Sequence, residues 1–144
     1  MINYEISGDG TENLVLLHGV MENNTVWDEM EPYLSKEFKL IKIDLPGHGK
    51  SDFSADTLTM DFMAEKVNEV TEKLKLEKFH LLGHSMGGYA ALAFAEKFSA
   101  KLKSLTLFFT TYYPDDAEKK EQRRKSLKVI KENYKSYVNA GIPS

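Results

Sequence analysis

Gly83-His84-Ser85-Met86-Gly87-Gly88 is the stretch that decides the fold. The short apolar run Phe79–Leu82 precedes it, and an Ala-rich stretch over about 86–98 follows it. Apolar runs of that length read as buried strands, and the longer stretch behind reads as a helix. A G-x-S-x-G sequence between strand and helix is a tight turn that lifts its central hydroxyl above the end of the sheet. Gly83 and Gly87 read as positions where a side chain would collide with the neighbouring strand and helix. Gly88, Ala90 and Ala91 let that helix lie close to the sheet. The free N–H groups at the helix start point where negative charge would develop. Ser85 is therefore the candidate nucleophile.

The pattern on either side repeats the theme. Residues 2–6 read as a short strand closed by the turn Ser7-Gly8-Asp9-Gly10. Leu14-Val15-Leu16-Leu17 is continuously apolar, as expected of a strand buried on both faces of a parallel sheet. A short helix is expected within Thr25–Leu34, with Trp27, Met30 and Leu34 on one side and Pro32 weakening it. Phe38–Leu45 reads as a second buried strand. Thr59 is a plausible N-cap for a helix reaching about Leu76, whose Phe62, Met63, Val67, Val70 and Leu74 share one face. Leu102–Tyr112 reads as the next strand. Strand–helix–strand alternation with short connections predicts an α/β fold: a mostly parallel sheet with helices on both faces. From Asp115 to about Asn139 the chain turns rich in Lys, Arg and Glu but keeps an apolar stripe of Leu127, Ile130, Tyr134, Tyr137 and Val138. It reads as an amphipathic cap-type helix with a solvated charged face. Two regions are expected, 1–113 and 114–144.

Bulk properties exclude several function classes. The 144 residues suffice for one domain with a real core. A net charge of −3 lacks the basic footprint of a nucleic-acid binder, so no nucleic-acid partner is expected. No apolar run approaches the roughly 20 residues that span a bilayer. The N-terminus lacks a basic-then-apolar signal peptide. With no cysteine, thiol nucleophiles, disulfides and thiolate metal sites are excluded. A cytoplasmic address without membrane attachment is the expectation. No His/Asp/Glu grouping shows ligand spacing, so neither metal nor cofactor is expected.

Two further motifs lie upstream of the turn: Leu16-Leu17-His18-Gly19-Val20, and Asp44-Leu45-Pro46-Gly47-His48-Gly49-Lys50-Ser51-Asp52. Together with Gly83–Gly88 they resemble the α/β-hydrolase family in order and spacing over about residues 1–112. The similarity is to its esterase, lipase-like and haloperoxidase-like members. The resemblance implies an incomplete α/β-hydrolase core in which Ser85 is the nucleophile. The backbone N–H groups of Met86 and Val20 would form the oxyanion hole. It also makes Gly19, His18 and His84 candidate substrate contacts.

In that family the triad runs Ser, then Asp or Glu, then His along the chain. Here His18, His48, His80 and His84 all precede Ser85. His84 reads as lining the turn, His80 as a hydrogen-bonded core residue, and His48 as a turn residue. His18 reads chiefly as a brace for the oxyanion loop. Asp115 and Asp116 read as helix-capping charges. The expectation is an N-terminal fragment of a longer serine hydrolase for carboxylic esters or related acyl bonds, nearly inactive by itself. Losing a triad member leaves only a residual rate of about 10³–10⁴ over water. The alternative is a non-catalytic scaffold that binds a small ligand or a protein. An unfinished sheet edge would invite self-association or strand exchange.

Overall fold

The computed structural model describes residues 1–53, 55 and 57–141, the side chains of 137, 138, 140 and 141 excepted. Five strands form one sheet in the order β1-β3-β2-β4-β5. They are β1 (Tyr4–Ser7), β2 (Glu12–Leu17), β3 (Phe38–Ile43), β4 (Phe79–His84) and β5 (Leu102–Phe108). Only β1 runs antiparallel, paired with β3; the other neighbours are parallel.

The apolar runs explain this order. In β2, Leu14 to Leu17 are all buried, and alternate side chains enter different layers because strand side chains point to opposite faces. Val15 and Leu17 join a cluster with residues of α2 (Met60–Lys73) and α3 (Met86–Phe98), including Met63, Val67, Ala91 and Phe94. Leu14 and Leu16 join Trp27 and Leu40 on the other face. Fully burying a side chain of this size contributes roughly 1.5–3 kcal/mol, so a strand buried on both faces sits mid-sheet.

The second face has the shorter cover, and here the expected helix at 25–34 is replaced by two pieces. Asn23 accepts from the Thr25 N–H at 2.9 Å and starts a 3-10 turn, Asn24–Trp27. Then α1 spans only Glu31–Leu34, with Pro32 in its first turn, where the missing N–H costs nothing. Trp27, Met30 and Leu34 do pack on one cluster. Lys42, on the same face of β3 as Leu40, is buried and binds Asp28 at 2.8 Å and Glu31 at 2.6 Å. That pins both pieces to the sheet.

Thr59 caps α2 as expected, its hydroxyl accepting from the Phe62 N–H at 3.0 Å. The helix ends at Lys73, and Lys75 turns the chain away at φ +55°. Strand β5 is shorter than expected. It stops at Phe108 because Phe109 takes φ +47°, a left-handed conformation that cannot continue a strand.

The chain divides into two compact units, Met1–Tyr112 and a second beginning at Tyr113. The second holds α4 (Ala117–Gly141). Asp116 caps it, its carboxylate accepting from the Lys119 N–H at 2.8 Å. Asp115 instead pairs with Arg123. The helix is interrupted at Asn133 (φ −156°, ψ 80°), whose side chain accepts from the Ser136 N–H at 3.2 Å and restarts it. Leu127 and Tyr134 of the expected stripe are exposed and Ile130 is half-buried. The side chains of Tyr137 and Val138 lie outside the described residues. Among the described residues no helix is long and apolar enough to cross a membrane.

Candidate active site

Parallel pairing of β2 and β4 sets Leu17 opposite Gly83, so the residues that follow each strand emerge at the same end of the sheet. The turn after β4 is as sharp as its sequence predicts. Ser85 has φ +49° and ψ −115°, a conformation that non-glycine residues rarely adopt and that costs on the order of 1–3 kcal/mol. Its N–H donates to the Phe108 carbonyl at 3.0 Å, and its own carbonyl accepts from Gly88 N–H at 3.0 Å. The strained residue is thus held from the adjacent strand and from the helix behind it.

The flanking glycines are there for space. A Cβ at Gly83 would lie 2.3 Å from the Gly87 carbonyl oxygen. One at Gly87 would lie 2.5 Å from the carbonyl oxygens of both Leu17 and His18. Backbone that close cannot yield as a flexible side chain could. Ser85 stands at the N-cap of α3, and Met86 is the first helical residue. The first N–H groups of a helix have no intrahelical acceptor and carry the positive end of its dipole.

The loop after β2 contains His18, Gly19, Val20 and Met21. Val20 and Met21 are exposed, and Met21 has φ +62°. His18 is fully buried. The Leu45 N–H donates to its Nε2 at 2.9 Å, so the proton sits on Nδ1 and is donated to the Gly19 carbonyl at 2.7 Å. Burial pushes the imidazole pKa down, and this tautomer needs no charge. His18 is therefore a brace between the two upstream motifs. The resemblance also makes it a candidate substrate contact, and its side chain is fully buried beneath the loop.

The loop after β3 is anchored by Asp44. Its buried carboxylate accepts from Asn24 N–H at 2.7 Å, Lys50 N–H at 3.0 Å and the Asn3 amide at 2.8 Å. Burial alone would raise its pKa, but the donors from Lys50, Asn24 and Asn3 outweigh it and hold the pKa below the ordinary range. His48 contacts the Pro46 carbonyl at 3.1 Å, in keeping with a turn role.

His84 lines the turn. Its Nδ1 lies 3.0 Å from Glu22 Oε2, and its ring sits among Trp27, Phe108 and Phe109. His80 differs from its expected place in the core. It is partly exposed and bonds the Ser104 hydroxyl at 2.7 Å, because the short cover of the second face leaves alternate residues of β4 half-bare. Each of the four imidazoles thus has a hydrogen-bond partner other than Ser85. The residue that sequence reasoning missed is Glu22, whose Oε2 also accepts from the Gly19 N–H at 2.6 Å. One acidic residue in a loop carries no pattern that would single it out.

A strand-to-helix elbow with a strained serine, above a mostly parallel sheet, defines a class of hydrolase scaffold. Residues 12–138 match the family described as alpha/beta hydrolase fold, and the chain belongs to that family. It is 35% identical over 111 residues to 2-hydroxy-6-oxononadienedioate/2-hydroxy-6-oxononatrienedioate hydrolase 1 of Pseudomonas putida, covering 74% of this chain and 39% of that protein. It is 36% identical over 98 residues to a monoacylglycerol lipase of Bos taurus, covering 66% of this chain and 29% of the lipase. Among solved structures, a thermophilic esterase from Thermogutta terrifontis superposes with a TM-score of 0.88 at 32% identity. That match covers 98% of this chain and 52% of the esterase. The chain therefore spans about two fifths or less of these curated relatives and about half of the esterase.

Proposed function

We propose that this chain carries the nucleophile and oxyanion half of a serine hydrolase acting on a carboxylic ester or a related acyl bond. Ser85 Oγ attacks the acyl carbon, and the oxyanion rests on the N–H groups of Met86 and Val20. The serine proton passes to a general base and on to the departing alcohol. Water then cleaves the acyl-enzyme and regenerates the hydroxyl. Gly19 and His84, next in sequence to Val20 and Ser85, would contact the substrate. The single observation that carries this reading is the backbone of Ser85, strained at φ +49° between two glycines that admit no side chain. In the family's order the base follows the nucleophile, and no histidine follows Ser85 in these 144 residues.

The expected result is that, in the intact enzyme with its general base present, a fluorophosphonate reagent forms an adduct on the peptide containing Ser85, read by mass spectrometry, and that Ser85→Ala removes it. An adduct that survives Ser85→Ala would overturn the assignment. A second reading, a scaffold that binds without turnover, is favoured by the commitments of the four histidines to other partners. It predicts ligand binding undiminished by Ser85→Ala and no adduct in either protein.

A further inference from the structure

We infer that Glu22 is a positioning residue, a carboxylate strut that holds the oxyanion loop against the nucleophile turn. The inference rests on the proposed role of Ser85 and Val20. Glu22 Oε2 makes two contacts at once: it accepts from the Gly19 N–H at 2.6 Å and meets His84 Nδ1 at 3.0 Å. An ionised carboxylate only accepts, so the proton of that second bond lies on the imidazole. Gly19 immediately precedes Val20, and His84 immediately precedes Ser85. The one oxygen therefore ties the backbone of the residue before Val20 to the side chain of the residue before Ser85.

Two further observations show that this loop needs a tether. Met21 is held at φ +62°, a strained conformation for a side chain of its size, and Val20 and Met21 are both exposed, so packing does little to fix them. The fit is also close. A Cβ on Gly19 would lie 2.8 Å from Glu22 Oε2 and 3.2 Å from His84 Nδ1, so position 19 has no room for one while the strut is in place. Short hydrogen bonds to a charged acceptor are about twice as strong as neutral ones, which suits a contact that must hold a strained loop.

The test compares the intact enzyme, its general base present, with Glu22→Gln and Glu22→Ala by two readouts. The first is the Gly19 amide resonance in nitrogen–proton NMR spectra, displaced downfield by its short bond to a carboxylate. The second is the rate at which a fluorophosphonate labels Ser85. Gln keeps an acceptor oxygen but loses the charge, so the rates should rank wild type above Gln above Ala. The Ala variant should be slower by about tenfold or more, short of the roughly 10²–10³-fold that loss of an oxyanion donor costs. The Gly19 resonance should move upfield in both variants, and thermal unfolding shows whether each is folded. A Gly19 resonance indifferent to both substitutions would overturn the contact. A shifted resonance with labelling rates unchanged within twofold would overturn the positioning role and leave Ser85 as the nucleophile. Failure of wild-type labelling, or an adduct persisting in Ser85→Ala, would remove both readings, with the Gly19 signal still reporting the contact itself.

Discussion

The loops that leave β2 and β3 start side by side and are built in opposite ways. After β3, Asp44 gathers three donors, the Ser51 hydroxyl donates to the Asp44 carbonyl at 2.6 Å, and Gly49 supplies the left-handed turn at φ +54°. After β2, the exposed residues Val20 and Met21 turn through a left-handed methionine, and the hold comes from Glu22 and the buried His18 beneath. One loop is a foundation. The other is a presented surface, whose accuracy depends on a few directed bonds. The comparison teaches that the number of buried polar anchors, and not loop length, separates a fixed turn from an exposed one.

If that contrast is right, damage to the foundation should be the more severe. Asp44→Ala orphans three donors at roughly 1–3 kcal/mol each, so urea unfolding should show a loss of at least about 3 kcal/mol. Gly49→Ala should follow at about 1–3 kcal/mol, because its Cβ would sit 2.3 Å from Asp44 Oδ2 in a backbone that disfavours it. A loss under about 0.5 kcal/mol in either variant would break the comparison.

The two loops should also separate by pH. His18 has a depressed folded pKa, so the unfolded chain binds the extra proton first. Its contribution is complete above the unfolded value of about 6.5 and is lost as pH falls through and below it toward the folded value. The Asp44 carboxyl is depressed as well, so its contribution holds above the unfolded value of about 3.9 and is lost as pH falls toward the folded one. Stability measured between pH 8 and pH 2, ranges chosen around those two values, should fall in two stages. His18→Gln should flatten the upper stage and Asp44→Asn the lower. The smallest effect is expected from Met21→Gly. Relief of the φ +62° strain and the added chain entropy nearly cancel, leaving a change under about 1 kcal/mol.

Much of this was legible from the residues. The elbow announced itself because glycine is needed where backbones approach within contact distance, as Gly83 and Gly87 show. The central strands were legible because a strand buried on both faces must be apolar throughout, as Leu14–Leu17 are. The antiparallel direction of β1 was not, since four residues of mixed character fit either direction. The end of β5 at Phe108 was hidden because the left-handed residue that stops it is a phenylalanine, which carries no turn signal. The same holds for Met21, and so for Glu22. A carboxylate finds an amide three residues back only if the chain between them bends, and methionine gives no sign that it will.

The clasp around Lys42 has a chemical consequence. Burial would by itself push that ammonium toward neutrality, but the carboxylates of Asp28 and Glu31 overcome this and raise its pKa above the usual lysine value. An amine that keeps its proton has no lone pair to offer. Amine-acylating reagents should therefore colour the outside of this molecule while leaving that one nitrogen untouched, until the segment over it lifts away.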